Sequence, residues 1–271
     1  MSTILPIPAL RELNLKAVQC STAIAPLLRD ALSQTSVESP PALEKLNLAS
    51  NKLRDDGAIA LARLLELPNF GLQNLELARC HITNTGSMAL ARALRRNRHL
   101  KVLGLSFNDI DDASYVSFGQ ALARDNDTLQ SINLQVDRKL IQESGCTALQ
   151  EMCRENTTLR DVSTLLNTVV AAAHGTYGNR IRMYLRLNKA GRAAIANNAA
   201  TVEGWVQLLS VVNDDLFAIH YLLRTHPNYI ALAAGRLRNT KGGQDVEDPF
   251  AGCVLGRQEY TMKSNSYIDP I

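Results

Sequence analysis

The feature that most constrains this 271-residue chain is a leucine phrase that recurs at a nearly fixed interval. Five copies read LRELNL, LEKLNL, LQNLEL, LKVLGL and LQSINL, and a degenerate sixth reads LRDVST. Consecutive copies lie 33, 29, 28, 29 and 30 residues apart, since they start at Leu10, Leu43, Leu72, Leu100, Leu129 and Leu159. Such self-similarity predicts stacked copies of one structural unit that cannot bury its apolar face alone.

Two local patterns fill each copy. The phrase alternates apolar and polar residues, as at Leu46 and Leu48, which is typical of a short strand with one buried face. The segment that follows carries apolar residues at helical spacing, as at Leu61 and Leu65. Acidic residues tend to open these segments and arginines to close them, which is the polarity that the helix dipole favours. We therefore predict one strand and one helix per copy.

A particular position in the turn that follows each strand favours asparagine or cysteine. The residues three positions beyond the last leucine of the phrase are Val18, Asn51, Cys80, Asn108 and Asp137. A buried asparagine at this position can bond the backbone of the turn, which has left the sheet and needs hydrogen-bond partners. We therefore interpret Cys80 as a structural residue and not as a reactive thiol.

The segment LEKLNLASNKLRDDGAIAL, from Leu43 to Leu61, resembles the repeat of ribonuclease-inhibitor-type leucine-rich repeat proteins, LxxLxLxxNxLxxxGxxxL. The resemblance covers about residues 9–162, although the first copy lacks the asparagine and carries an insertion near SQTSVESPP. It implies an α/β leucine-rich repeat solenoid, a short horseshoe with parallel strands on the concave side and helices on the convex side.

Three regions follow from these patterns. Residues 1–162 hold the five to six repeats, and 163–234 are predicted to form a last degenerate repeat and a helical cap over the apolar end of the array. The motif YLRLNKAGR and the residues after it resemble the tails of uncharacterised leucine-rich repeat proteins of photosynthetic protists, which implies a cap and an intracellular protein. Residues 235–271 mix Gly, Asn, Asp and charge without periodicity, so we predict a mostly disordered tail.

Composition narrows the classes of partner. The net charge of +3 is too mild for a nucleic-acid footprint. Because the sequence has no run of about 18 apolar residues, we predict no membrane partner. The first residues do not read as a signal peptide, so we expect a cytoplasmic protein, although a nuclear one is also compatible. The five cysteines form no CxxC pair and indicate reduced thiols. We expect a monomer.

The sequence shows no arrangement of residues suited to catalysis. The five histidines lack zinc-ligand spacing, and there is no Walker, GxGxxG or GxSxG motif. We therefore predict no metal, no cofactor and no enzymatic activity. The basic run Arg95–His99 is interpreted as a helix end and a solvated turn, with an anion-binding patch as the alternative. The sequons at Asn126 and Asn156 fall in repeat turns and are interpreted as chance matches.

A partner would contact the strand side chains that point away from the buried leucines. The aromatic ring of Phe107 is the candidate centre of this surface, since aromatics and arginine most often dominate binding energy. The alternative is that Phe107 folds inward over its turn. The predicted partner-binding residues are Glu12, Asn14, Lys45, Asn47, Asn74, Glu76, Arg79, Val102, Ser106, Phe107, Ser131, Asn133 and Gln135.

These observations predict a non-catalytic interaction module, or scaffold, that binds a protein or a peptide on the concave strand face. Two alternatives stay open. One is activation of a small GTPase, in which Arg54 or Arg79 would stabilise charge developing on the phosphate. The other is a fragment of a larger receptor or sensor.

Overall fold

The computed structural model describes residues 10–20, 24, 43–68, 70–136, 141–164, 175–193, 202–211 and 215–225. The chain divides into two units, Met1–Leu222 and Leu223–Ile271. The insertion near SQTSVESPP, the residue Asp137 and the tail 235–271 lie outside the described residues, as do residues 165–174.

A parallel sheet runs through the first unit, and its six strands follow one another in chain order. Its central residues pair in register, for example Leu46 with Leu75 and Leu75 with Leu103. Each copy of the leucine phrase therefore supplies one strand, and the predicted stacking is confirmed. The strands are β1 (Glu12–Asn14), β2 (Lys45–Asn47), β3 (Asn74–Glu76), β4 (Val102–Gly104), β5 (Ser131–Asn133) and β6 (Asp161–Ser163).

From β2 to β6 helices alternate with the strands, as the apolar spacing predicts. Neighbouring helices pack in chain order from α1 to α5, and α6 also contacts α5. The described helices are α1 (Arg54–Leu65), α2 (Asn84–Leu94), α3 (Asp112–Ala123), α4 (Glu143–Glu155), α5 (Gly175–Lys189), α6 (Val202–Val211) and α7 (Leu216–Thr225).

The core lies between the sheet and the helices. Leu48, Leu77 and Leu105 occupy the same position in successive repeats and are each 0% exposed. Leu61 on α1 and Leu90 on α2 are likewise buried. Burial of one such leucine side chain is worth roughly 1.5–3 kcal/mol, so the regular stacking of leucines is the main stabilising contribution.

Asparagine side chains join the turns that follow the strands. Nδ2 of Asn108 donates to the carbonyls of Leu77 and Leu105 at 2.8 and 2.9 Å, while Oδ1 accepts from the N–H groups of Cys80 and Ile82. Asn51 makes equivalent contacts two repeats earlier. The expected role of this position is confirmed for both asparagines.

Cys80 fills the same position with a thiol that donates to the carbonyl of Leu48 at 3.2 Å. It is 0% exposed, and burial raises the pKa of its thiol to about 11, which suits a structural residue. The four described cysteines are all free thiols, as expected, and Cys253 lies outside the described residues. Val18 departs from the pattern, since it is 52% exposed.

A second row of asparagines lies just after the helices and was not predicted from the sequence. Asn97, Asn126 and Asn156 follow α2, α3 and α4, and each is 3% exposed. Each Oδ1 accepts the N–H of the leucine that opens the next phrase, and each Nδ2 donates to a carbonyl of the preceding repeat. The motif Asn-x-x-Leu, which precedes the phrases at Leu100, Leu129 and Leu159, was the available signal.

Hydrogen bonds join the C-terminal end of α5 and the residues after it to the end of this row. Nδ2 of Asn188 donates to the carbonyls of Asn156 and Leu159 at 2.9 and 2.6 Å. The guanidinium of Arg192 donates to the carbonyls of Cys153 and Asn156, both at 2.8 Å. Residues 175–193 thus continue the stacking beyond the sixth strand, in a segment that has lost the leucine phrase.

Carboxylates bridge the beginnings of neighbouring helices. Asp55 accepts hydrogen bonds from the backbone N–H groups of Thr83 and Gly86 in the next repeat, at 2.8 and 3.0 Å. Asp112 does the same for Gln142 and Gly145, both at 3.0 Å. A Cβ at Gly86 would lie 2.6 Å from Oδ1 of Asp55, so this bridge requires glycine there.

Candidate protein-binding face

The candidate binding surface, here called the strand face, consists of the strand residues that point away from the buried leucines and of the predicted residues directly after each strand. Parallel strands in register bring equivalent positions of successive repeats into rows that cross the sheet. All thirteen residues predicted to bind a partner lie on β1 to β5 or in the turns directly after them. The strand residues among them share one side of the sheet, although their exposure varies from row to row.

The row formed by the last residue of each strand has a structural role that explains its recurring asparagine. Oδ1 of Asn47 accepts the backbone N–H of Ala49 at 3.0 Å, and Oδ1 of Asn133 accepts that of Gln135 at 3.1 Å. Asn14 and Glu76 make the same bond to the residue two positions later. One side-chain oxygen of each of these residues thus stabilises the turn that follows the strand. The recurrence of asparagine is therefore not by itself a sign of partner binding.

The row formed by the first residue of each strand carries charges of both signs. Lys45 forms an exposed ion pair with Glu12, and the hydrogen bond and charge of Glu12 raise the pKa of this lysine. The Ser131 hydroxyl donates to Asp161 at 3.3 Å at the other end of the sheet. Exposed ion pairs of this kind contribute little to stability. Their charges remain accessible at the surface.

Strand β4 offers less side-chain surface than expected. Ser106 was placed among the exposed positions, yet it is only 6% exposed. Gly104 is buried because the carboxylate of Glu76 lies over it, in the place that a Cβ would occupy. Val102 keeps partial exposure. The sequence could not show this, because it depends on how a side chain of the neighbouring strand leans.

Arg79 and Phe107 form a stacked pair at the strand ends. The guanidinium carbon of Arg79 lies 4.8 Å from the centroid of the Phe107 ring, which is a cation–π contact. Arg79 is exposed, whereas Phe107 is half-buried. The ring is therefore neither folded into the core nor fully free, and the guanidinium lies over one of its faces.

The backbone holds this pair in a strained conformation. Arg79 and Phe107 have φ values of 55° and 58°, in the left-handed region that costs a bulky residue about 1–3 kcal/mol. The N–H of Arg79 donates to the carbonyl of Ser106 at 3.0 Å, and the N–H of Phe107 donates to that of Gln135 at 2.6 Å. Each turn is thus tied to the next repeat, which fixes where the two side chains emerge.

The second arginine considered for GTPase activation lies at a different connection. Arg54 opens α1, is exposed and also has a left-handed φ of 54°. Its backbone N–H donates to the carbonyl of Cys80 at 2.9 Å. Arg54 and Arg79 therefore both belong to strand-to-helix connections, as expected, but in successive repeats.

Among the described residues, His, Cys, Asp and Glu side chains form no group of three or more that would hold a metal ion. Within the same part of the chain, every helix is too short or too polar to cross a membrane.

The sheet, the helices and the asparagine-bonded turns define an α/β leucine-rich repeat solenoid. The model of the family described as "Leucine Rich repeat" matches residues 40–62, 69–91 and 96–117, which cover the strand and the first half or more of the helix in three successive repeats. These are the copies in which the sequence pattern is most regular. The predicted fold class is confirmed.

Several proteins with repeats of this type are similar in sequence. The chain is 38% identical over 127 residues to "NACHT, LRR and PYD domains-containing protein 4E" of Mus musculus, covering 47% of this chain and 13% of that protein. It is 34% identical over 146 residues to "NACHT, LRR and PYD domains-containing protein 13" of Homo sapiens, covering 54% and 12%. It is 31% identical over 133 residues to "Ribonuclease inhibitor" of Sus scrofa, covering 49% and 29%.

The similarity to ribonuclease inhibitor supports the predicted ribonuclease-inhibitor type of the repeats. The aligned segment spans less than a third of the length of each of these three relatives. The resemblance of the C-terminal part to tails of protist proteins stays a prediction.

Proposed function

We propose that the chain is a non-catalytic interaction module that binds a protein or a peptide on the strand face. The observation that carries this proposal is the stacked pair of Arg79 and Phe107 at the end of an ordered row of polar side chains. Arginine and aromatic residues dominate binding energy when a partner covers them. Because the turns fix both side chains before binding, little conformational entropy is lost when they are covered.

The chemistry of the strand face favours a polar partner. The amides of Asn47 and Asn133 present donors, while Lys45 and Glu12 present charges of both signs. Such a mixture suits a protein surface or an extended peptide, which carries donors and acceptors along its backbone. The pig relative is named as an inhibitor of a ribonuclease, that is, as a protein with a protein ligand.

Affinity enrichment from the native cell, followed by mass spectrometry, tests the proposal. We expect Phe107→Ala to lower affinity for an enriched partner about 30-fold, since a central contact residue contributes about 2 kcal/mol or more. Arg79→Ala should weaken the same interaction. Arg92→Ala, on the exposed side of α2, is the matched control and should leave it unchanged.

Each variant must retain the circular dichroism spectrum and melting temperature of the parent chain. If the partner binds both variants on the strand face as tightly as it binds the parent chain, the proposed surface is wrong.

A second candidate function is that the repeats are the sensing part of a larger receptor. It is favoured by the similarity to two mammalian proteins whose names carry NACHT and PYD domains beside the repeats. Sequencing of complete transcripts tests it, and an open reading frame without a further domain would contradict it. For the module itself we propose a cytoplasmic location and a monomer, to be checked by fluorescence imaging and by light scattering.

A further inference from the structure

The first strand forms an open edge of the parallel sheet. β1 (Glu12–Asn14) pairs with β2 and stands at the end of the strand order. The backbone groups of alternate strand residues point to opposite sides, and those of Arg11 and Leu15 bond to β2. The N–H and C=O groups of Glu12 and Asn14 therefore face away from β2. Within the part of the chain that the structure describes, no backbone group bonds to them.

The apolar side chains of the first repeat are less covered than those of the later repeats. Leu10 opens the first leucine phrase and is 37% exposed, whereas the equivalent Leu43 and Leu72 are 5% and 0% exposed. Leu13 and Leu15 are half-buried, while their counterparts in the next three repeats are buried. An edge strand that combines unpaired backbone groups with exposed apolar side chains is a surface on which another strand can pair.

The sequence around β1 is complementary to itself when two copies run antiparallel. If Asn14 lies opposite Asn14 of a second copy, then Glu12 of each copy lies opposite Lys16 of the other. On the other side of the sheet, Leu13 of each copy lies opposite Leu15 of the other. Opposite charges and apolar pairs directly across two strands stabilise their pairing, whereas parallel pairing in register would place Glu12 against Glu12.

The open backbone groups fit the same register. The N–H of Asn14 in each copy donates to the carbonyl of Asn14 in the other. The N–H of Glu12 in each copy donates to the carbonyl of Lys16 in the other, because residues opposite each other in such a pair exchange hydrogen bonds. A twofold axis perpendicular to the sheet relates the two copies, so the leucines of both stay on the helical side.

The charged side chains needed for this contact are accessible. Lys16 is exposed, and among the described residues no carboxylate forms an ion pair with it. Glu12 is exposed as well, and the ammonium of Lys45 bonds to its Oε1. A carboxylate has about four acceptor sites on its two oxygens, so Glu12 can accept from Lys16 of a second copy beside Lys45.

We propose that two copies of this chain pair edge to edge through β1, antiparallel, and form a symmetric dimer with one continuous sheet. Because the contact involves one short strand from each copy, we expect reversible pairing with a Kd on the order of 100 µM. The monomer proposed above is then the form at low micromolar concentration. Pairing places two strand faces on the same side of one sheet, so a partner with two copies of an epitope gains avidity.

Sedimentation velocity of the full chain between about 5 and 500 µM tests this pairing. The sedimentation coefficient should rise with concentration toward that of a dimer. Glu12→Lys places a lysine against Lys16, and Lys16→Glu places a glutamate against Glu12, so each variant alone should pair at least about tenfold more weakly than the parent chain. Lys101→Glu makes the same change of charge at an exposed position on β4's approach and should pair like the parent chain.

A one-to-one mixture of the two variants is the decisive measurement. The new lysine of one variant then faces the new glutamate of the other, and the original Lys16 faces the original Glu12, so pairing should return to the strength of the parent chain. Recovery on mixing cannot arise from a variant that fails to fold. A mixture that pairs no better than either variant alone overturns the antiparallel register, and species larger than a dimer overturn the twofold contact. A parent chain that stays monomeric up to about 500 µM overturns the proposal and leaves this edge for a strand of another protein.

Discussion

Removal of one side chain of the helix-end asparagine row should destabilise the solenoid strongly, and Asn126→Ala is the sharpest case. Nδ2 of Asn126 donates to the carbonyls of Leu94 and Asn97 at 2.7 and 3.1 Å. Oδ1 accepts the N–H groups of Thr128 and Leu129 at 3.1 and 2.9 Å. Alanine removes all four bonds and leaves four backbone groups without this partner.

The size of the effect follows from these contacts. A typical intramolecular hydrogen bond contributes about 0.5–1.5 kcal/mol net, and a buried group left without a partner costs more. Relaxation of the turn and entry of water offset part of the loss, so we expect the free energy of unfolding to fall by about 3 kcal/mol. In a domain of this size that corresponds to a fall in melting temperature of roughly 6–12 °C.

Thermal and urea unfolding, followed by circular dichroism, measure this loss. The matched control is Asn133→Ala, since Asn133 is half-buried on the strand face and accepts one backbone N–H, that of Gln135. The control should lose at most about 1 kcal/mol. If Asn126→Ala melts within about 2 °C of the control, the claim that this row holds the repeats together is wrong.

Three further outcomes are expected. Gly86→Ala should lower the free energy of unfolding by about 1–3 kcal/mol, because the new Cβ would lie 2.6 Å from a carboxylate oxygen of Asp55. Gly71→Ala is the control in the same unfolding assay and should be neutral, because nothing lies within 4 Å of its Cβ position. A maleimide at pH 8 should label half-exposed Cys20 long before Cys153. Cys153 is 0% exposed, and burial raises the pKa of its thiol to about 12. Peptide mapping by mass spectrometry shows the order of labelling, and equal labelling rates would contradict the core packing. When the chain is directed through a secretory pathway, a glycan added to Asn126 or Asn156 before folding should prevent native packing, since each asparagine is 3% exposed; a glycosylated fraction that keeps the melting temperature of the parent chain would contradict this.

The strand face shows how far sequence reasoning reached toward a function. Alternation identified which residues share one side of the sheet, because that depends only on backbone geometry. It did not distinguish Asn47, whose oxygen is used by its own backbone, from a residue wholly available to a partner. Nor did it reveal that Ser106 is buried or that Arg79 lies over Phe107.

The contact between α5 and α6 lay beyond the reach of the sequence for a different reason. Three arginines in one helical stretch are typical of an ordinary solvated surface. In the structure, the guanidinium of Arg186 donates to the carbonyl of Val211, the last residue of α6. Packing brings these two residues together although they lie 25 positions apart in the chain, and no local pattern in the sequence shows that contact.

The sequence alone determined the repeat unit, the order of strand and helix, and the residues that enter the core. Those properties arise from periodic burial, and a period of 28–33 residues is visible in one dimension. Only the tertiary structure determined which polar groups form hydrogen bonds between repeats and which remain at the surface. That division depends on hydrogen bonds between side chains and carbonyls about thirty positions apart, such as Asn126 with Leu94, and these contacts exist only once the repeats have stacked.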